Sequence, residues 1–315
     1  MASVRVAIVG AGNMASEHAR AFASLPGVEL AGFYAGASSR VAALAAKYRV
    51  PAVGSLDLLR NECHADAVVV AVSETSALET AFACFEHSWV CLLEKPAGLN
   101  LSQAEKILGR CNERGRRCFV AFNRRSYSAT RSALASLNGD TSPRLISVLD
   151  QQDLDAVRRA GRPDAVIQNY MYANSIHLID YFSLFARGAA IAVEPIMKWT
   201  PDRPGVVLAC IRFESGDVGV YQAVWNAPGP WSVTVTNSAL RLEMRPLERL
   251  GIQRRGEFRL METPPDAIDT EYKPGLHFQA EQLVAAVRGT ENSLASLEDS
   301  TRSMALCARI YGLDR

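Results

Sequence analysis

The run Val4-Arg5-Val6-Ala7-Ile8-Val9-Gly10-Ala11-Gly12-Asn13-Met14-Ala15 constrains this chain more than any other segment. An apolar strand pattern runs straight into two glycines one residue apart, and an amphipathic helical pattern opens behind them. The first glycine permits a tight turn, the second lets a phosphate approach the backbone, and the small third residue lets helix and strand touch. A helix starting there aims its free N–H groups and positive dipole end at whatever lies over the turn. The spacing Gly10-x-Gly12-x-x-Ala15 therefore predicts a dinucleotide cradle, with Gly10, Gly12, Asn13, Met14 and Ala15 at the pyrophosphate. Taken alone, such a string also serves as a purely structural turn.

The surrounding pattern supports the cradle. Strand-like runs at 4–9, 28–34, 67–72, 89–93 and 118–122 alternate with helical stretches near 13–24, 38–48, 76–87 and 102–114, which predicts a doubly wound parallel sheet. Residues 67–72 are apolar without alternation, as in a strand buried on both faces. Ligands in such sheets bind beyond the carboxyl ends of the strands. That rule gathers Gly10 to Ala15, Ser73 to Ser76 and Glu94 to Pro96 on one rim, with Ser73, Glu94 and Lys95 as further candidate cofactor contacts.

Past residue 122 the texture changes. A helix near 126–137, a strand near 144–151 and a long helix over 164–187 lead into strand patterns at 190–199, 206–213, 217–226, 231–236 and 240–245. Helical spacing returns at 276–288 and 297–311. The expected fold is an α/β Rossmann domain over 1–121, followed by an α+β domain over 122–315 with a large, open, mostly antiparallel sheet. A chain of 315 residues also exceeds what one core usually organises, about 250–300 residues.

Composition excludes several classes. A net charge of +1 provides no long-range field for a phosphate backbone, so no nucleic-acid partner is expected. No apolar run reaches the ~18 residues of a membrane span, so no membrane partner is expected either. Seven cysteines without C-x-x-C spacing read as free thiols, with no metal site. The strand pattern begins too early for a leader peptide, and a cytoplasmic protein is the expectation.

Three sets of side chains carry candidate chemistry. The second strand ends Phe33-Tyr34-Ala35-Gly36-Ala37-Ser38-Ser39-Arg40, without the carboxylate that usually meets a ribose 2′-hydroxyl. Ser38, Ser39 and Arg40 are then either donors to a 2′-phosphate, favouring NADP over NAD, or a helix cap and a solvated helix face. Lys95, in Glu94-Lys95-Pro96, either projects from the rim where a nicotinamide ring would lie or is a solvated strand terminator. On the helix over 164–187, Tyr170, Asn174, His177 and either Asp180 or Tyr181 recur at three- and four-residue intervals and share a face. Asn123, Arg124 and Arg125 follow the fifth strand, where they either contact an anionic substrate or lie on the surface.

The set of Gly10-x-Gly12-x-x-Ala15, Glu94-Lys95-Pro96 and His177-x-x-Asp180 resembles the Gfo/Idh/MocA oxidoreductase family over nearly the full chain, including Phe278-Gln279-Ala280-Glu281-Gln282 and the terminal helix. The resemblance implies oxidation of a ring hydroxyl on a small-molecule carbohydrate or cyclitol, NADP or NAD as cofactor, and a homodimer or homotetramer built on the open sheet. Lys95 and His177 stand where the family keeps its catalytic pair. Ala173 stands where members often carry an aspartate, and Ser73-Glu74-Thr75-Ser76-Ala77 departs from the usual T-P-x-x-x-H loop.

In this reading His177 exchanges the hydroxyl proton, since an unperturbed imidazole pKa of about 6.5 suits that task. Lys95 polarises the developing carbonyl. Asp180 either fixes the imidazole tautomer or holds a domain interface. Tyr170, Asn174, Asn123, Arg124 and Arg125 are the expected substrate contacts. The rival readings are a non-catalytic dinucleotide-binding sensor of the same fold and a nicotinamide-dependent glycosidase or epimerase.

Overall fold

The computed structural model describes residues 2–36, 39–197, 199–200 and 205–313. The chain divides into two compact units, Met1–Asn123 with Ile268–Thr301, and Arg124–Ala267 with Arg302–Arg315. The second domain expected over 122–315 is thus not continuous, because residues 268–301 pack with the first unit.

In chain order the first unit runs β1 (Val4–Val9), α1 (Asn13–Ala23), β2 (Val28–Tyr34), α2 (Ser39–Tyr48), α3 (Leu56–Asn61), β3 (Ala67–Val70), α4 (Ala77–Cys84), β4 (Val90–Glu94), α5 (Leu101–Glu113) and β5 (Cys118–Ala121). Its strands pair in the order β2-β1-β3-β4-β5, all parallel. Parallel strands need long crossovers, and the intervening helices supply them. The chain turns back at β1, which has β2 on one side and β3 on the other, so the topological switch point lies at the carboxyl end of β1. Apolar side chains from the strands, including Val6, Ile8, Phe33, Val69 and Leu92, pack with Phe22 of α1 in one buried core.

The second unit runs α6 (Ser128–Ser136), β6 (Leu145–Gln152), α7 (Leu154–Arg159), α8 (Asp164–Gln168), a π-helical turn (Met171–Ser175), α9 (Ile176–Phe185), β7 (Ala190–Met197), β8 (Val206–Phe213), β9 (Val218–Trp225), β10 (Ser232–Thr236), β11 (Leu240–Met244), β12 (Leu250–Arg254) and β13 (Met261–Thr263). Its eight strands form one sheet, ordered β13-β12-β11-β10-β6-β9-β8-β7 and antiparallel except for the β6–β9 pair. The chain then continues through α10 (Ala267–Glu271), α11 (Leu276–Val287), β14 (Ala295–Ser296) and α12 (Leu297–Tyr311). Leu283 and Val284 of α11 join the first unit's core, and β14 adds an antiparallel edge to β5.

The continuous helix expected over 164–187 is instead three pieces, α8, the π turn and α9. A π turn carries an extra residue per turn and shifts every later side chain around the axis. Strand alternation on β6 puts Ile146 and Val148 in the core while Leu145 stays exposed. All seven cysteines are free thiols. Among the described residues no helix is long and apolar enough to cross a membrane, and no cluster of His, Cys, Asp or Glu could hold a metal.

One buried charge secures the corner of the second sheet. Asp217, between β8 and β9, has no exposed surface. It accepts from the Arg144 and Arg187 backbone N–H groups at 2.9 Å and from the Arg187 guanidinium at 2.6 and 3.0 Å. Burial pushes its carboxyl up, but the Arg187 and backbone hydrogen bonds outweigh that and hold its pKa at about 2. A depressed carboxyl pKa stabilises the fold above the unfolded-state value and loses that contribution as pH falls through the folded-state value. Three of the four tryptophans, Trp199, Trp225 and Trp231, lie in this unit and report on it. Urea denaturation followed by tryptophan fluorescence is expected to lose about 2 kcal/mol between pH 4 and pH 2 through this residue, and Asp217→Asn is expected to flatten the profile over that window.

Candidate active site

At the carboxyl end of β1, Gly10 has φ +133°, a conformation that L side chains rarely adopt. Its N–H donates to the Tyr34 carbonyl of β2 at 2.7 Å, and a Cβ there would sit 2.2 Å from the Ala71 carbonyl oxygen beyond β3. The turn is closed tightly on both sides. Gly12 differs: it is the N-cap of α1, and a Cβ placed on it would meet nothing within 4 Å. No side chain caps α1, whereas Ser55, Asn100 and Asp153 cap α3, α5 and α7 with hydrogen bonds. The first-turn N–H groups of α1, from Asn13 and Met14 onward, thus face open space with the positive helix end behind them. Ala15 is fully buried where helix meets strand. A dinucleotide pyrophosphate fits this cradle.

Other rim residues sit as follows. Ser73 bonds within its own turn, to the Thr75 hydroxyl at 3.1 Å and the Ser76 hydroxyl at 3.0 Å. Glu94 pairs with His18 Nε2 at 2.7 Å, tying the end of β4 to the inward face of α1. His18 escaped notice in the sequence, although it is a polar residue on the same inward stripe as Ala15, Ala19 and Phe22. Lys95 is half-buried beside a cavity of about 10 Å³ lined by Val72, Glu74, Glu94, Lys95 and Pro96. Ser39 and Arg40 open α2 with exposed side chains, and Ser38 lies outside the described residues. Asn123, expected at the substrate, is buried, and its amide donates to the Pro274 carbonyl at 3.1 Å. That bond joins the end of β5 to the turn before α11.

In the second unit Arg125 and Asp180 take each other as partners. Arg125 and Asp180 form a two-pronged ion pair, Nε to Oδ2 and Nη2 to Oδ1, both at 2.7 Å, and the Ser303 hydroxyl donates to the same carboxylate at 2.7 Å. Asp180 therefore anchors α9 to the turn before α6 and to α12; it does not serve the imidazole. Arg125 is correspondingly a fold-holding arginine. Its neighbour Arg124 stands over the Trp231 ring, its Cζ 4.6 Å from the centroid, and its Nε and Nη1 are buried with no acceptor among the described residues. Unpaired buried guanidinium nitrogens are costly.

The polar stripe read from the helix is split by the π turn. Tyr170 packs edge-on against Trp225, with ring centroids 6.3 Å apart. Asn174 donates to Gln152 Oε1 of β6 at 2.8 Å. His177 follows in the first turn of α9 and is buried. Behind them lies a network that periodicity did not reveal. Asp150 accepts from Gln152 at 2.5 Å and Tyr221 at 2.6 Å, and Tyr311 bridges Tyr221 at 2.8 Å and Ser175 at 3.1 Å. The available signal was in β6, whose inward positions run Ile146, Val148, Asp150, Gln152 and turn polar halfway along.

The two glycines separate folding from binding. Gly10→Ala is expected to destabilise the first unit by about 3 kcal/mol or more, from backbone strain and the clash with Ala71, read as a fall in Tm. Gly12→Glu is expected to keep the wild-type Tm while abolishing NAD(P)H binding, read by nicotinamide fluorescence.

Comparison with known proteins agrees with this architecture. Residues 4–122 match the model of the oxidoreductase family with NAD-binding Rossmann fold named GFO_IDH_MocA. UDP-N-acetylglucosamine 3-dehydrogenase of Acidithiobacillus ferrooxidans is 32% identical over 115 residues, 36% of this chain. That alignment spans only 35% of the relative's own length. The solved structure of that enzyme superposes with a TM-score of 0.81 at 19% identity, covering 99% of this chain and 98% of the other. A 4-carboxy-2-hydroxymuconate-6-semialdehyde dehydrogenase of Sphingobium is 24% identical over 242 residues, 72% of this chain and 74% of that protein. The WlbA dehydrogenase of Bordetella pertussis, solved with NADH and UDP-GlcNAcA, has a TM-score of 0.75 at 16% identity, covering 99% of this chain and 95% of that one. Over its Rossmann segment, residues 4–122, the chain is thus similar to the Gfo/Idh/MocA oxidoreductase family.

Proposed function

We propose that this chain is an NAD(P)-dependent dehydrogenase that acts on a ring hydroxyl of a sugar, cyclitol or nucleotide-linked sugar. The observation that carries the reading is the uncapped start of α1 over Gly12, which follows the tight Gly10 turn at the end of β1. When bound, the nicotinamide supplies a hydride acceptor or donor for the carbinol carbon. His177 takes or returns the hydroxyl proton, and the Lys95 ammonium stabilises charge on the oxygen as it becomes a carbonyl. Asn174, Tyr170 and Arg124 are the proposed substrate contacts, with Arg124 suited to a carboxylate or phosphate on the sugar. The relatives named for sugar-nucleotide substrates support this substrate class.

For the cofactor, exposed Ser39 and Arg40 follow a strand that ends without an acid, which supports NADP over NAD. NADPH is expected to bind about tenfold tighter than NADH, with Arg40→Ala erasing the difference in a fluorescence titration. Across a panel of sugars, inositols and nucleotide sugars, Lys95→Ala and His177→Ala are each expected to lower kcat by about 10²-fold or more. Rates within a few fold of wild type would reject these roles. Cofactor binding without turnover of any panel member would favour the sensor.

We also infer a homodimer through the open face of the second sheet. Leu145, Val206 and Val224 are exposed there, and the last two are register partners on adjacent strands. Exposed apolar side chains paired across neighbouring strands, as Val206 and Val224 are, suit an interface. Val206→Lys with Val224→Lys is expected to halve the mass measured by light scattering while leaving NADPH affinity unchanged.

A further inference from the structure

Asp150 is a carboxylate in a place where the fold has no need of one. It stands on the inward face of β6 in line with Ile146 and Val148, 2% exposed, on a face otherwise packed against apolar groups of α9. Removing a carboxylate from water costs several kcal/mol unless hydrogen bonds replace the solvent. Here Gln152 and Tyr221 donate to it. Burial pushes its pKa up against the lowering effect of those donors. The groups that face it are Tyr221 of β9, Tyr311 and Cys307 of α12, and Arg124, whose positive charge favours its ionised form.

Both arms of this network return to the same five residues. One runs from Asp150 through the Gln152 side-chain amide to Asn174. The other reaches Ser175 through the Tyr221–Tyr311 pair. Asn174 and Ser175 are the last two residues of the π-helical turn, and His177 is the second residue of the helix that follows. A π turn is less favourable than regular helix and persists where its surroundings hold it, frequently at functional sites. We propose that Asp150 is a positioning residue, a buried anchor whose hydrogen bonds, to Gln152 and through Tyr221 and Tyr311 to Ser175, hold the π turn and thereby set the orientation of Asn174 and His177. The clamp rests on the reading of His177 as the proton-transfer residue only for its catalytic consequence; its structural claim stands apart.

The test reads the imidazole directly. The chain has five histidines, so a sample labelled with ¹³C at histidine Cε1 gives five resonances, and His177→Gln assigns the one of interest. Asp150→Asn keeps the shape but sets an amide N–H against donors. Gln152→Leu cuts the Asn174 arm alone and decides the matter should the first variant fail to fold. Both are expected to move the His177 shift and its titration midpoint while the other four histidines stay in place. With a turned-over substrate, kcat is expected to fall about tenfold or more, with NADPH affinity within about twofold of wild type. A lowered Tm with an unmoved His177 resonance would overturn the proposal, leaving Asp150 a packing residue. Failure of the dehydrogenase reading has a different signature: wild-type protein that binds neither NADPH nor NADH, whatever the imidazole does.

Discussion

Everything at the first unit's rim follows from how tightly β1 ends. Gly10 donates to Tyr34 on one side and passes so near the Ala71 carbonyl on the other that no side chain fits. A chain pinned between two neighbours at a positive φ cannot continue as strand, and it turns upward into α1 at the point where the sheet's winding reverses. Because the turn is spent on glycine, nothing protrudes from it, and α1 begins without the side-chain oxygen that caps α3, α5 and α7. In the proposed dehydrogenase the first-turn N–H groups of α1 are the recognition element for the dinucleotide. The buried His18–Glu94 pair then ties the same helix to the strand whose next residue is Lys95.

The second unit shows three ways to keep a carboxylate out of water. Asp217 meets the Arg187 guanidinium and two backbone N–H groups, and its acidity is strengthened. Asp180 is clasped by Arg125 and Ser303. Asp150 has neutral donors alone within hydrogen-bond distance, with Arg124 acting on it only at longer range, and its acidity is weakened. Strength in such pairs comes from direct charge-assisted contact, so the first two behave as fasteners. The third is held by groups that also hold something else, and its energetics depend on all of them staying in place.

Much of the fold was legible because its signals are local. The parallel strands and their crossover helices announce themselves by apolar runs and helical spacing, and the glycine turn by its own spacing. Short elements such as α3, α7, β12 and β14 were missed, since five or six residues carry too little periodicity to stand out and two carry none. The site was legible where one segment builds it and obscure where several do. Asp180 and His177 share a helix, which invited a link between them, yet the partner of Asp180 is Arg125, brought close by the fold of the unit. The Asp150 network draws on β6, β9 and α12, and no spacing along the chain encodes such a meeting.

The π turn shows why a helical stripe can mislead even when each residue on it is well chosen. Regular spacing lays Tyr170, Asn174 and His177 one above another, but an extra residue in the turn rotates the later part away from the earlier. Tyr170 accordingly rests on Trp225 while Asn174 reaches the end of β6. What holds that rotation in place is not helix propensity, because Met171-Tyr172-Ala173-Asn174-Ser175 contains nothing that dictates a wide turn. Its two polar residues are instead occupied from outside, Asn174 by Gln152 and Ser175 by Tyr311. The orientation of His177 is therefore a tertiary property, set by side chains on a strand and on the terminal helix, and a sequence pattern can locate the residue without locating its ring.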